Sequence, residues 1–223
     1  MKKFLYEISQ ELILVFTGKS MDILLPPIVF LMLHSFFSLS TALIGSLLLS
    51  IVFFIIRIKN KSNYFYAMGG LLGVSIAILL AYLNDNAANF FLPDIIGTSI
   101  LIVLTITSLF AKKPLAIWVS HITRGWDLHW FYREDVKPAY KEVTIFWLVF
   151  FIARFGVEMY LYLNSSIEEI VIANIILGYP LLITVLTISY VYGITRLRSL
   201  KGPGIDEYMK GIKPPYKGQT RGF

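Results

Sequence analysis

The chain has 223 residues, of which 57% are hydrophobic and 15% charged, with a formal net charge of +6 and a mean hydropathy of +0.70. Its apolar residues come in long blocks, so the composition excludes an ordinary soluble domain and indicates a helical membrane protein. The chain contains no cysteine, which excludes disulfides and thiolate metal sites.

The first element in chain order is residues 1–20, where an amphipathic helix is predicted. Apolar side chains recur at helical spacing at Leu5, Ile8, Leu12 and Val15. The pattern is typical of a helix lying in the membrane interface, or of a solvated helix packed on the bundle. A cleavable signal peptide is not expected, because acidic residues interrupt the apolar run and no small-residue cleavage site follows.

Six apolar stretches then predict an all-α polytopic membrane domain over residues 21–195. The predicted transmembrane helices are residues 22–37, 41–58, 64–83, 90–110, 143–163 and 167–194. Pro180 is expected to kink the last helix. Prolines near the start of the first and fourth helices suggest a 3+3 inverted repeat, although no extended self-similarity accompanies them.

The placement of Lys and Arg predicts the orientation of these helices. Of the 20 cations, 19 lie before the first predicted helix, or at or after the ends of the second, fourth and sixth. The positive-inside rule therefore places both termini in the cytoplasm, together with the loop 111–142 and a basic tail, 196–223. The expected location is the bacterial plasma membrane.

The remaining cation, Arg154, falls near the middle of the fifth predicted helix, four residues before Glu158. A charge at this depth costs about 2.5–3.5 kcal/mol on insertion scales unless it is paired or hydrated. Asn174 on the next helix is a candidate further contact, and the tyrosines near the ends of the fifth helix are others. Arg154, Glu158 and Asn174 are therefore predicted to form an intramembrane polar centre. That centre is either a gate, solute or headgroup contact, or a structural ion pair that fixes helix register.

The long loop 111–142 combines aromatic and basic residues. Its predicted lipid or partner contacts are Lys112, Lys113, Trp118, Trp126, Trp130, Arg133 and Lys137. Rings at headgroup depth and cations facing anionic lipid are typical of a membrane interface, although the same rings would also anchor a surface or re-entrant helix. His121, Asp127 and His129 match no metal-ligand spacing, so neither a metal nor another cofactor is expected.

The tail beyond residue 200 is rich in Gly, Pro and Lys and loses the hydrophobicity of the preceding sequence. Such a composition predicts an extended or disordered segment when it stands alone. Its own cytoplasmic loops, or a partner in a membrane-protein complex, would be needed to order it. The other expected partners are the bilayer and its anionic headgroups; nucleic acid is not expected.

A family resemblance rests on five short motifs in a fixed order. They are LLPPIVF at 24–30, FFLPDI at 90–95, AKKPL at 111–115, FWLVFFIARFGVEMYLYL at 146–163 and LGYPL at 177–181. Over about residues 20–195 the chain resembles the uncharacterised bacterial membrane family related to intracellular septation protein A. The resemblance implies a small inner-membrane protein linked to cell-envelope synthesis and division, with no established enzymatic activity.

Two functions follow as expectations. The first is a non-enzymatic integral membrane subunit or scaffold that docks protein partners through its cytoplasmic loop and basic tail. The alternative is a transporter of a small solute, an ion or a lipid carrier, with its polar centre at Arg154 and Glu158. An enzyme is not expected, because the sequence offers no paired carboxylates, no nucleophile with its base and no metalloprotease motif.

Overall fold

The computed structural model describes residues 21–59, 64–83, 85–220 and 222–223, and these form helices without a strand. The α-helices are α1 (Met21–Phe36), α2 (Leu39–Lys59), α3 (Tyr64–Leu83), α4 (Leu92–Phe110), α5 (Leu115–Arg124), α6 (Leu128–Phe131), α7 (Lys137–Asn164), α8 (Ile167–Leu177), α9 (Tyr179–Ser199) and α10 (Ile205–Met209). A 3₁₀ helix, Ala87–Phe91, runs directly into α4. The all-α prediction is confirmed, while the predicted helix over 1–20 lies outside the described residues.

The described helices supply four stretches that are long and apolar enough to cross a membrane, where six were predicted. They are Leu39–Ile56, Ala87–Phe110, Lys137–Asn164 and Ile167–Ser199. The first predicted transmembrane helix, α1, has 16 residues, which is shorter than the ~20 that a spanning helix needs. In α3 the apolar stretch is the shorter segment Leu71–Leu83. The prediction of six spans is therefore wrong by this criterion of length and composition.

The outer surfaces of these helices are apolar. Val149 and Ile152 on α7 are 62% and 51% exposed, and Val103 and Leu104 on α4 are exposed to a similar degree. Large exposed aliphatic side chains arranged in this way are unfavourable in water and are solvated by lipid. Together with their length, this outward-facing hydrophobicity is the pattern of membrane-embedded helices.

The sixth predicted helix is interrupted instead of kinked. Gly178 leaves the helical conformation with φ −72° and ψ −126°, and its N–H donates to the carbonyl of Asn174 at 2.9 Å. A Cβ atom at Gly178 would lie 2.8 Å from that carbonyl oxygen, so the close approach requires glycine. Pro180 then falls in the first turn of α9, where its missing N–H does no harm. The break at Gly178 thus replaces the kink predicted at Pro180.

The described chain divides into two compact units. The first unit contains the described residues up to Gly97 together with Val157–Pro180, and the second contains Thr98–Gly156 and Leu181–Phe223. In the first unit, α2 packs against both α1 and α3, and α8 packs against α1. Its core is centred on Phe30 and Phe90, whose rings stack with centroids 4.4 Å apart.

The core of the second unit is built from the loop 111–142, the start of α7, the end of α9 and the tail. Its buried residues are Ala116, Ile117, Trp130, Phe131, Val136, Ala139, Tyr140, Val143, Leu197, Ile205 and Phe223. The predicted long loop is therefore a folded element: it contains α5 and α6, and its last residues already belong to α7, which begins at Lys137.

Candidate functional site

A small pocket in the first unit collects polar side chains from three helices. Asp94 comes from the first turn of α4, Glu158 and Tyr162 from the second half of α7, and Asn174 from α8. Apolar side chains, including Phe91 and Leu161 among others, form the remaining wall. The pocket therefore presents two carboxyl groups, a phenol and an amide within a mostly hydrophobic surface.

The position of Tyr162 is set by a hydrogen-bond network behind the pocket. Its hydroxyl donates to Oδ1 of Asn89 at 2.5 Å, and Asn89 is only 5% exposed. The 3₁₀ helix that carries Asn89 is capped by Asn86, whose side-chain oxygen accepts from the N–H of Ala88 at 2.9 Å. This capped turn fixes a buried polar anchor for the last turns of α7.

Two of the three residues predicted for the polar centre line this pocket. Glu158 is 7% exposed and Asn174 is half-buried, and both face the pocket. Arg154 lies one turn before Glu158 on α7, belongs to the second unit and is half-buried. Asp94, which was not predicted as a site residue, and Tyr162, one of the tyrosines considered as further contacts, complete the polar lining. Tyr162 follows Glu158 by four residues on the same face of α7, whereas Asp94 is far from Glu158 in the sequence and is recognisable only as a carboxyl group directly after Pro93 at a helix start.

In the second unit, helix α5 has one buried and one exposed face. Ala116, Ile117 and Ser120 are buried, and the N–H of Ala116 donates to the hydroxyl of Thr144 at 3.1 Å. Gly125 ends the helix in the left-handed conformation, with φ 68°, which glycine adopts without strain. Among the described residues, the helix is thus fixed against the start of α7 through its buried side.

Four aromatic rings form the centre of the second unit. Phe131 meets Trp130 and Tyr140 edge-on, with centroids 5.0 Å away in each case. The Phe223 ring stacks on the Tyr140 ring, with centroids 4.3 Å apart and an angle of 14° between the ring planes. Contacts of this kind stabilise by about 0.5–1.5 kcal/mol each beyond the burial of area. The loop, α7 and the tail therefore share one hydrophobic core.

Polar contacts also hold the tail on the loop. The indole N–H of Trp130 donates to the carbonyl of Pro203 at 2.9 Å in a fully buried position. The Glu207 carboxylate accepts from the backbone N–H groups of Lys217, Gly204 and Gly218 at 2.8, 2.9 and 3.0 Å. These N–H donors, that of Lys217 first, hold the pKa of Glu207 below its usual value.

The predicted contact residues of the loop fall into two groups. Lys112, Lys113 and Trp118 are exposed, and Lys112 occupies a left-handed position with φ 56° in the turn that ends α4. Trp126 is half-buried, and the guanidinium of Arg124 lies 5.0 Å from its ring centroid. These residues are accessible to a membrane surface or a partner.

The residues of the second group contact other side chains of the same protein. Arg133 forms a two-pronged ion pair with Asp135, with N–O distances of 2.9 and 2.7 Å, and the Lys137 ammonium lies 5.4 Å from the Tyr132 ring. Trp130 is 0% exposed, so its predicted role as a surface contact is wrong. The reason is its indole N–H, which finds a buried carbonyl partner on the tail.

The charge of the chain is concentrated in the second unit. By sequence it contains 14 of the 20 Lys and Arg and 6 of the 14 Asp and Glu, a formal net charge of +8. Several of these cations are exposed on the loop and the tail, among them Lys141, Lys210 and Lys213. The unit therefore attracts anionic surfaces, and its long-range effect weakens as salt rises.

The all-helical fold, the four apolar stretches and the basic second unit together define a helical membrane protein. Within that class, the family described as "Protein of unknown function (DUF3159)" matches residues 19–199, and the chain belongs to it. The match ends at the end of α9, so the tail that packs on Trp130 and Tyr140 lies beyond the matched residues. No curated protein and no solved structure matches the chain.

Proposed function

We propose that the chain is a non-enzymatic integral membrane subunit or scaffold, and that protein partners dock on its basic second unit. The observation that carries this proposal is the packing of the tail on the loop, through Trp130, Pro203 and the stacked rings of Tyr140 and Phe223. A surface whose backbone is already ordered loses less conformational entropy on binding than a disordered tail would.

The docking patch within this unit is formed by the middle of the tail. Met209 is 71% exposed and Ile212 is 46% exposed, and the exposed lysines Lys210 and Lys213 alternate with them. Apolar groups surrounded by charged ones are the usual composition of a protein-binding surface. The four residues, here called the tail patch, fit a partner that presents a hydrophobic contact within an acidic rim.

The orientation of the membrane helices is part of the same proposal. We propose that both termini lie in the cytoplasm of a bacterium, because 19 of the 20 cations fall on one side of the helices predicted from the sequence. A role in envelope synthesis or division, implied by the resemblance to relatives of septation protein A, is a further part of the proposal.

The experiment is a gentle-detergent purification of the chain from its native membrane, followed by mass spectrometry of the co-purified proteins. Wild type is expected to retain a partner in fixed stoichiometry. Lys210→Glu together with Lys213→Glu is expected to lose it, because the acidic rim then meets like charge. The matched control is Lys141→Glu, an exposed lysine outside the tail patch. Loss of the partner from the Lys141→Glu control alone, or its retention by both the double variant and the control, would refute docking at this patch.

A transporter is the second candidate, and the polar pocket of the first unit favours it. Glu158, Asn174, Asp94 and Tyr162 bring ionisable and hydrogen-bonding groups together on predicted membrane-embedded helices, where polar side chains are costly and usually functional. A transporter requires a water-filled route to this pocket from one side of the membrane.

Because the chain has no cysteine, single cysteines test this route directly. If the chain is a transporter, the cysteine of Asn174→Cys is expected to react with a membrane-impermeant thiol reagent added to one side of the membrane. Ile176→Cys is the control, since Ile176 is 59% exposed on the apolar outer surface of α8 and is expected to be shielded by lipid. Absence of labelling at position 174 from either side would argue for a closed, structural pocket and against transport.

A further inference from the structure

The exposed face of α5 is hydrophobic and is not covered by the unit to which it belongs. Trp118, Val119 and Ile122 are 37%, 41% and 77% exposed, and their spacing places them on one side of the helix. The opposite side, with Ala116 and Ile117, is fully buried. Within the described part of the chain, this ten-residue helix therefore packs through one side only.

Cations flank this face at both ends of the helix. Lys112 and Lys113 are exposed immediately before it, and Arg124 is exposed at its last residue. The guanidinium of Arg124 lies over the Trp126 ring, so an aromatic ring and a cation are presented together. Exposed acidic groups do not occur within α5 or the turn before it. The face is thus complementary in charge to an anionic surface.

The chain itself places α5 close to a bilayer. The apolar stretch Ala87–Phe110 ends two residues before Lys112, and α5 begins at Leu115. A connection this short keeps the helix near the point at which α4 leaves the hydrocarbon. Amphipathic helices with bulky apolar residues and flanking cations lie at this depth, with rings among the headgroups and cations on the phosphates.

We propose that the outer face of α5, with Lys112, Lys113 and Arg124, binds the anionic phospholipids of the leaflet in which α4 ends. Trp118, Val119 and Ile122 insert at the boundary between headgroups and acyl chains, and the three cations contact lipid phosphates. The occupant is lipid because the apolar face follows a candidate membrane-spanning stretch after four residues, and because residues 111–124 carry three exposed cations and no acidic residue. The inference does not depend on the tail patch, which lies on another element.

The insertion is tested with a spin label on a single cysteine at position 122, in nanodiscs of phosphatidylcholine with phosphatidylglycerol. The Ile122→Cys label is expected to be several-fold more accessible to oxygen, which partitions into lipid, than to an aqueous nickel chelate. Glu134→Cys, an exposed acidic position of the same unit, is the control and is expected to show the reverse ratio. A label at position 122 that is as accessible to the nickel chelate as the control label overturns the proposal. A label at 122 shielded from both reagents also overturns it, since a protein surface then covers the face.

The charge component is tested by native mass spectrometry of the lipids that the purified chain retains from the same nanodiscs. Replacing Lys112, Lys113 and Arg124 by Gln is expected to lower phosphatidylglycerol retention at least ~10-fold, since one cation near an anionic surface contributes about five-fold in affinity. Lys210→Gln with Lys213→Gln is expected to leave retention unchanged. An equal loss in the two variants, or no loss in the first, overturns the assignment of these three cations.

Discussion

Replacing Gly193 by Ala is expected to release the last residues of the tail. Gly193 lies inside α9, is buried and faces the Phe223 ring, so a methyl group there would overlap that ring. The backbone of α9 is held by helical hydrogen bonds on both sides of this position, whereas Phe223 lies outside any helix. The clash is therefore relieved by movement of Phe223 away from Tyr140.

The magnitude follows from the contacts that Phe223 gives up. Burial of a phenylalanine side chain contributes about 1.5–3 kcal/mol. The stacked pair with Tyr140, whose centroids are 4.3 Å apart, contributes about 0.5–1.5 kcal/mol more. The docking equilibrium of the chain end should shift by roughly 2–4 kcal/mol, which is about 30- to 1000-fold. Ala in a helix interior is favoured over Gly by ~0.5–1 kcal/mol, so α9 itself becomes more stable.

The assay is the mobility of a spin label at a single cysteine, Thr220→Cys, since Thr220 is exposed and the chain has no other cysteine. In the Gly193→Ala background its spectrum is expected to gain a fast component. Gly156→Ala is the matched control: it lies in α7 of the same unit, and a Cβ atom there meets nothing within 4 Å. A Thr220 label that stays as immobile in Gly193→Ala as in the control would refute the reasoning.

Three further outcomes are expected. Glu207→Gln should mobilise the tail label at neutral pH, and acid should do so in wild type: the lowered pKa of Glu207 means that its stabilisation is present above about pH 4.5 and is lost as the pH falls through the folded-state pKa. Ser166→Ala should cost about 0.5–2 kcal/mol in unfolding, because it removes the capping box with Glu169, whereas Ser166→Asp should retain most of that stability. Tyr162→Phe should cost about 1–3 kcal/mol by leaving the buried Asn89 oxygen without its donor, and combined with Asn89→Ala the cost should be less than additive.

Helix positions were predictable because hydrophobic blocks and turn residues are local signals. The ends predicted for the stretch 90–110 agree closely with the 3₁₀ helix and α4, and the stretch 64–83 coincides with α3. The fifth helix begins six residues earlier than predicted, at Lys137, because its polar first turns are helical without being apolar. Hydropathy locates the membrane-embedded part of a helix and does not report how far the helix continues beyond it.

The polar centre was predictable in part. Glu158 is conspicuous because a carboxyl group within an apolar stretch is expensive, and Asn174 follows on the next apolar stretch. Tyr162 lies four residues after Glu158 on the same face of α7, whereas Asp94 reaches the pocket from a position whose sequence neighbours suggest a loop end. Bringing Asp94 and Asn174 to Glu158 depends on how α4 and α8 are placed against α7 in the first unit, which is a tertiary property without a local sequence signal.

The ordered structure of the tail could not be predicted from its composition, and the reason is physical. Glycine and proline were interpreted as flexibility, but here several glycines permit close approach: a Cβ atom at Gly202 would lie 2.7 Å from the carbonyl oxygen of Asp135. Beyond residue 200 the tail contributes the buried side chains of Ile205 and Phe223 to the shared core, with Tyr208 packed against it, while the loop, α7 and α9 supply the other buried residues. Trp130 and Pro203 are 73 residues apart in the chain, so no periodic pattern connects them. A segment too polar to fold alone is thus ordered by a hydrophobic surface that the loop already provides, which is why alanine at one distant glycine, Gly193, should be enough to loosen its end.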